Sequence, residues 1–171
     1  IKQAKIMSQN YDVTVTNPPY MGNSGMTEHL KKYLKKNYPN SEKDMMTAFM
    51  DLAFNITKPS GIISMINIPS WMFLSSFEML RNYILNNKTF INLIDNGRGV
   101  FGSDFGSVSF VIKNNLMKDY QGVYRRLIKR KGACDTNEVK EQWFLDKDFN
   151  KYITPQNDFH KIPGSPIAYW V

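Results

Sequence analysis

An open α/β sheet, mostly parallel with an antiparallel strand pair at one edge, is the fold this sequence predicts. Segments of strand-like sequence alternate with helical stripes, and the last two strand segments are joined too closely for a crossover helix, which implies an antiparallel pair. In addition, Gly61 to Ile68 (GIISMINI) is a nearly continuous apolar run, the pattern of a strand covered on both faces.

Tyr11 to Thr16 alternates β-branched residues and is stopped by two prolines, so it reads as a short strand carrying Asn17-Pro18-Pro19-Tyr20 at its C-terminal end. Thr27 precedes Leu30, Tyr33 and Leu34 at helical spacing, with Lys31, Lys32, Lys35 and Lys36 opposite. That face is either simply solvated or tracks phosphates. Ser41 with Asp44 three residues later is a capping signature, followed by Met45, Phe49, Leu52, Ala53 and Ile56 on one helical face. Ser75 and Glu78 repeat the signature ahead of Phe77, Leu80, Ile84 and Leu85. Thr89 to Ile94, Ser107 to Lys113 and Gly122 to Ile128 read as further strands. Residues 1–131 are expected to form the catalytic half of a domain, and 132–171, where the pattern weakens and three prolines fall, to begin a linker.

The chain has 171 residues, 42% of them apolar, enough for one core. Its single cysteine, Cys134, allows no intramolecular disulfide, and no Cys/His cluster has zinc spacing; a reducing bacterial cytoplasm and no metal are expected. A net charge of +7 favours an anionic partner, nucleic acid before membrane, and no apolar run approaches the roughly 20 residues that span a bilayer. The sequence opens on Ile1 and closes on an apolar stretch without a stop signal, so it reads as part of a larger protein.

Ligands of open α/β sheets bind at the carboxyl ends of the strands, where Asn17 to Tyr20 falls. An exocyclic amine such as adenine N6 is a poor nucleophile because its lone pair is delocalised into the ring. Two acceptors holding its hydrogens draw it toward a more nucleophilic geometry. The Asn17 side-chain oxygen and the Pro18 carbonyl suit that role, the paired prolines Pro18 and Pro19 fix φ, and Tyr20 offers a face on which an extruded base stacks. The plainer reading is a rigid turn capped by Asn17 with Tyr20 in the core. Gly97, Gly99 and Gly102 match a dinucleotide pattern, but a strand follows where that pattern needs a helix.

The Asn17 to Tyr20 segment resembles the fourth motif of the amino-methyltransferases, and Gly61 to Trp71 with Phe77 to Leu85 resembles the next strand, loop and helix of the gamma-ordered adenine-specific DNA methyltransferases. Val100-Phe101-Gly102 with Val108 to Ile112 resembles their eighth motif. More narrowly, Met21 to Thr27 with its lysine-rich helix, and Ile162 to Trp170, look like the large adenine-specific methyltransferases of bacterial BREX phage-defence systems.

The resemblance implies the C-terminal half of a Rossmann-like, S-adenosylmethionine-dependent sheet. It also implies N6 methylation of adenine flipped from double-stranded DNA, within a phage-defence or restriction-modification system that has other subunits. Phe101, or Phe105 as the alternative, would close the base sandwich against Tyr20. The family's main cofactor motifs lie upstream of this loop, and sixteen residues precede Asn17, so most of the cofactor site is expected outside this chain. Trp71 either lines the pocket or merely packs. The basic run Arg125, Arg126, Lys129, Arg130 and Lys131 is a candidate for DNA backbone contact. Two other functions remain: methylation of a protein glutamine or of RNA, and a non-catalytic scaffold subunit.

Overall fold

A computed structural model describes residues 2–102, 105–130 and 132–171. A short exposed helix, α1 (Lys2–Ser8), leads into strand β1 (Tyr11–Thr16), then helices α2 (Glu28–Asn37) and α3 (Met45–Ile56), strand β2 (Thr57–Asn67) and helix α4 (Glu78–Asn87). Strands β3 (Thr89–Arg98), β4 (Gly106–Lys113) and β5 (Gln121–Arg126), helix α5 (Asn137–Leu145) and strand β6 (Lys151–Pro155) complete the order.

The strands form one sheet in the order β1-β2-β4-β3-β5-β6. The pairs β1/β2 and β3/β5 are parallel, and β4 runs antiparallel to both β2 and β3, so β1, β2, β3 and β5 all point one way. The α/β class and the predominantly parallel sense agree with the sequence. The antiparallel strand lies elsewhere: β4 folds back from β3 as a hairpin into the middle of the sheet, and the antiparallel edge pair is β5/β6.

Period-two alternation puts Ile63 and Met65 of β2, Phe110 and Ile112 of β4, Leu93 of β3 and Tyr124 of β5 on one face, where α3 and α4 cover them in a single core. A bulge between Phe90 and Asn92 lets both Phe90 and Leu93 point inward. The opposite face is largely open, with Val13 and Val15 exposed. Gly61 is required where β2 passes β1, because a Cβ there would lie 2.8 Å from the Asp12 carbonyl oxygen.

Both capping signatures act differently from expectation. Asp44, not Ser41, caps α3 by accepting from Met46 N, while buried Ser41 donates to Asp51. Before α4 a 3-10 turn (Ser75–Phe77) intervenes, and no side chain caps the helix. Residues 132–171, expected to open a linker, fold onto the sheet: β6 pairs with β5, and Phe159, Ile167 and Tyr169 enter the core. The Tyr169 ring stacks on Tyr124 at 5.1 Å.

Arg81 of α4 holds that tail in place. Its buried guanidinium donates to the carbonyls of Trp71 (3.0 Å) and Leu74 (2.6 Å) in the loop after β2, and to those of Gly164 (2.7 Å) and Ser165 (3.1 Å) in the tail. Replacing Arg81 with Leu strands these carbonyls and is expected to cost about 3 kcal/mol or more of stability, since bonds to a charged donor contribute about 1.5 to 3 each. Urea unfolding followed by tryptophan fluorescence checks this. Arg81→Lys, a cation without the planar fork, should recover only part of the loss, and an unchanged midpoint in Arg81→Leu would contradict the assignment.

Candidate active site

The prolines that end β1 turn Asn17 to Tyr20 out at the carboxyl end of the sheet. Pro18 is buried, Asn17 and Pro19 are exposed, and Tyr20 is 37% exposed. The Tyr20 hydroxyl donates to Asn17 Oδ1 at 2.7 Å and lies 3.1 Å from the Ile66 carbonyl oxygen at the end of β2. The loop is therefore closed on itself and fastened to the neighbouring strand. Burial raises the pKa of Tyr20, so the hydroxyl keeps its proton and remains a donor near neutral pH.

A second clamp comes from α3. Asp44 Oδ1, which caps the helix, also accepts from Met21 N at 3.3 Å, and Met45 N donates to the Met21 carbonyl at 3.0 Å. The signal in the sequence was the aspartate itself, but its second partner lies 23 residues away, beyond local pattern reading. Asn67, one residue past the Tyr20 anchor, is fully buried, and its side-chain amide makes no hydrogen bond among the described residues. Buried amides are normally paired.

Phe101 and Phe105 sit on the loop between β3 and β4, 57% and 65% exposed, and among the described residues neither ring contacts Tyr20. Just before that loop, Gly97, with a φ of +66° and an N–H bond to Asp95 Oδ1, forms the bulge near the end of β3, which closes at Arg98. Trp71 is a core residue, not a pocket wall. It is fully buried, stacked on Phe90 at 6.2 Å and edge-on to Phe110 at 5.4 Å.

The basic run does not form one patch. Arg125 and Arg126 are consecutive on β5 and point to opposite faces. Arg125 donates to the carbonyls of Trp143, Phe144 and Asp146 and so closes the end of α5. Arg126 turns toward the core side, with its guanidinium 4.6 Å from the Trp170 ring and 3.9 Å from Asp95. Lys129 and Arg130 are exposed, and Lys131 lies outside the described residues.

This fold, a four-strand parallel set with one antiparallel strand folded into it, is shared with solved proteins of restriction-modification systems. The modification subunit of a putative type I restriction enzyme from Vibrio vulnificus YJ016 superposes with a TM-score of 0.65 at 15% identity, over 88% of this chain and 35% of its own. The DrdV-DNA complex superposes with a TM-score of 0.65 at 15% identity, over 89% and 18%.

Residues 1–101, more than half of the chain, match the Eco57I restriction-modification methylase family, and the chain belongs to that family. It is 45% identical over 174 residues to the adenine-specific methyltransferase BrxX of Escherichia coli O9:H4 (strain HS), covering 99% of this chain. With the adenine-specific methyltransferase PglX of Lacticaseibacillus casei (strain Zhang) it shares 38% over 179 residues, again covering 99%. The chain spans 14% of the length of each of these relatives.

The closed loop leads to a mutational expectation in the full-length gene product. On the expectation from the sequence that Tyr20 stacks an extruded base, Tyr20→Phe, which keeps the ring but releases Asn17, should hold DNA affinity while turnover falls. Tyr20→Ala removes the face and should weaken DNA binding by ~1 to 3 kcal/mol. Fluorescence anisotropy with duplex DNA and single-turnover methyl transfer separate the two; equal losses of affinity in both variants would place the Tyr20 contribution in its hydroxyl.

Proposed function

We propose that this chain is the base-holding half of a site-specific DNA adenine N6-methyltransferase centre serving a phage-defence or restriction-modification system. The observation that carries the proposal is the Asn17 to Tyr20 loop, fastened at the carboxyl end of the sheet by the Tyr20 hydroxyl and by Asp44. In this reading Asn17 Oδ1 and the Pro18 carbonyl accept from adenine N6, Pro19 stiffens the turn, and Tyr20 takes one face of the extruded base. Phe101 takes the other face, with Phe105 as the alternative. Family membership and the names of the two relatives support methyl transfer to adenine, and the net charge of +7 supports a DNA partner over a protein one. Other subunits of the defence system are expected partners.

S-adenosylmethionine is the methyl donor this reading requires. Beside Asn17 the open sheet face carries a shallow groove of about 400 Å³ lined by Val15, Thr16, Ser64, Ile66 and Ser109. Those side chains are apolar or hydroxylic. None is a carboxylate able to take both ribose hydroxyls, and no glycine-rich turn meets the groove, so these residues alone do not make a nucleoside site. The isolated chain should accordingly give little or no calorimetric heat with S-adenosylmethionine; tight binding would show that the cofactor site is complete within it.

The decisive experiment is single-molecule sequencing of host DNA from cells carrying the full-length gene, its Asn17→Ala variant, or neither. Modified adenine in one sequence context, present with the wild type alone, is the expected result. Unmodified DNA with the wild type, together with labelled methyl appearing in ribosomes or release factors, would transfer the activity to RNA or protein glutamine. Methylation that survives Asn17→Ala would leave this loop a scaffold.

A further inference from the structure

The core face of the sheet opens at its carboxyl end into a cleft of about 590 Å³, set apart from the Asn17 loop. That volume lies within the range of small-ligand sites and is large enough for a nucleotide. Phe73 and Trp170 form one wall, their rings 5.6 Å apart and tilted, each more than a third exposed. Arg126 and Lys129 provide positive charge, and Asn150 and Tyr152 line the remainder.

Two features indicate an occupant. Aromatic faces beside cations are the combination that accepts a base and its phosphate together. In addition, the Arg126 guanidinium makes no hydrogen bond among the described residues. Its guanidinium carbon lies 4.6 Å from the Trp170 ring centroid and its Nε 3.9 Å from an Asp95 oxygen, and that Nε is buried without a hydrogen-bond partner among the described residues. Asp95 is itself occupied, accepting from Gly97 N at 3.0 Å, and with two cations against one carboxylate the cleft favours an anion.

Position supports the same occupant. β1 and β5 are four strand spacings apart in the sheet, about 19 Å at ~4.8 Å each. Both present the same end to solvent, since their strands run in one direction. This separation is roughly half a turn of duplex, whose full turn is about 34 Å.

We propose that this cleft receives a nucleotide of the DNA flanking the target adenine, its base against Phe73 and Trp170 and its phosphate at Arg126 and Lys129. The proposal rests on the reading that the full-length product acts on DNA, and it assigns a contact that the Asn17 loop does not make.

The test uses the full-length product and its bound duplex, with 5-iododeoxyuridine placed singly along both strands within a turn of the target. Ultraviolet cross-linking and peptide mapping should join one flanking position to Trp170 or Tyr152. Lys129→Glu, an exposed substitution, should weaken DNA binding about tenfold at low salt and reduce the salt slope by about one, with an unchanged melting temperature. Arg126→Gln should weaken binding and abolish the cross-link. Cross-links confined to residues 17–20 and 101–105, or unaltered binding by both variants, would overturn the proposal. Displacement of the DNA by polyglutamate at equal charge would overturn it too, since the cleft would then be a general anion surface. The two readings fail separately: methylated adenine without a cleft cross-link removes the cleft, whereas a cleft cross-link without methylated adenine removes the catalytic assignment.

Discussion

A single buried cation determines whether this sheet is closed at its functional end. An ion carried out of water is costly unless its donors are all spent, and Arg81 spends them on four carbonyls from two segments more than eighty residues apart in sequence. With the Glu78 carboxylate as its charge partner, the guanidinium acts as a fork that joins the tail to the loop after β2. The bond from Ile167 N to the Met72 carbonyl at 3.0 Å continues that alignment. Only then does Tyr169 reach Tyr124 and Trp170 reach Phe73. The Tyr169–Tyr124 stack and the Trp170 wall of the cleft thus lie in the tail that Arg81 anchors.

At the other edge of the sheet the constraint is different. Among the described residues β1 pairs on one side only and has an open face, so burial fixes its terminal loop at Pro18 alone. It is also fixed by polar contacts to half-buried neighbours, Ile66 on β2 and the N-terminus of α3. Asp44 is economical in this respect, since the same oxygen satisfies a helix N–H and a loop N–H. A loop held this way keeps its side chains accessible while its backbone stays in register with the sheet.

Local chemistry was readable in the sequence wherever local chemistry decides the structure. Thr27 caps α2 as its spacing predicts, β1 has the predicted bounds, and the prolines place Asn17 at a strand end. The rest was decided by distance in sequence. Ser41 resembles a cap but is drawn into the interior by Asp51, and the true cap is the residue that also reaches Met21. Nothing in β4 announces a central position, because a hairpin strand inserts between β2 and β3 only through pairing with both. The tail looked like a linker because its buried residues, Phe159, Ile167 and Tyr169, follow no period. The basic run was legible as charge but not as one surface, because residues adjacent on a strand face opposite ways and Arg125 and Arg126 lie on different sides of the sheet.

Within the proposed reading of this loop, and only there, the bond between Tyr20 and Asn17 bears on selectivity. With the loop closed, the Asn17 oxygen already has a donor, so a ligand gains there only by supplying a better one. An exocyclic amine exchanges one hydrogen bond for another and releases the tyrosine hydroxyl, which still has the Ile66 carbonyl within reach at 3.1 Å. The net cost of that exchange is small, because no buried polar group is left unpaired at any stage. A base that offers an oxygen at the same position meets the Asn17 and Pro18 oxygens as like dipoles and leaves the tyrosine where it was. Discrimination against keto bases then arises from unmade bonds, which penalise more strongly than missing apolar contacts do. In that reading the loop is therefore suited to recognise an amine by the same atoms that would activate it.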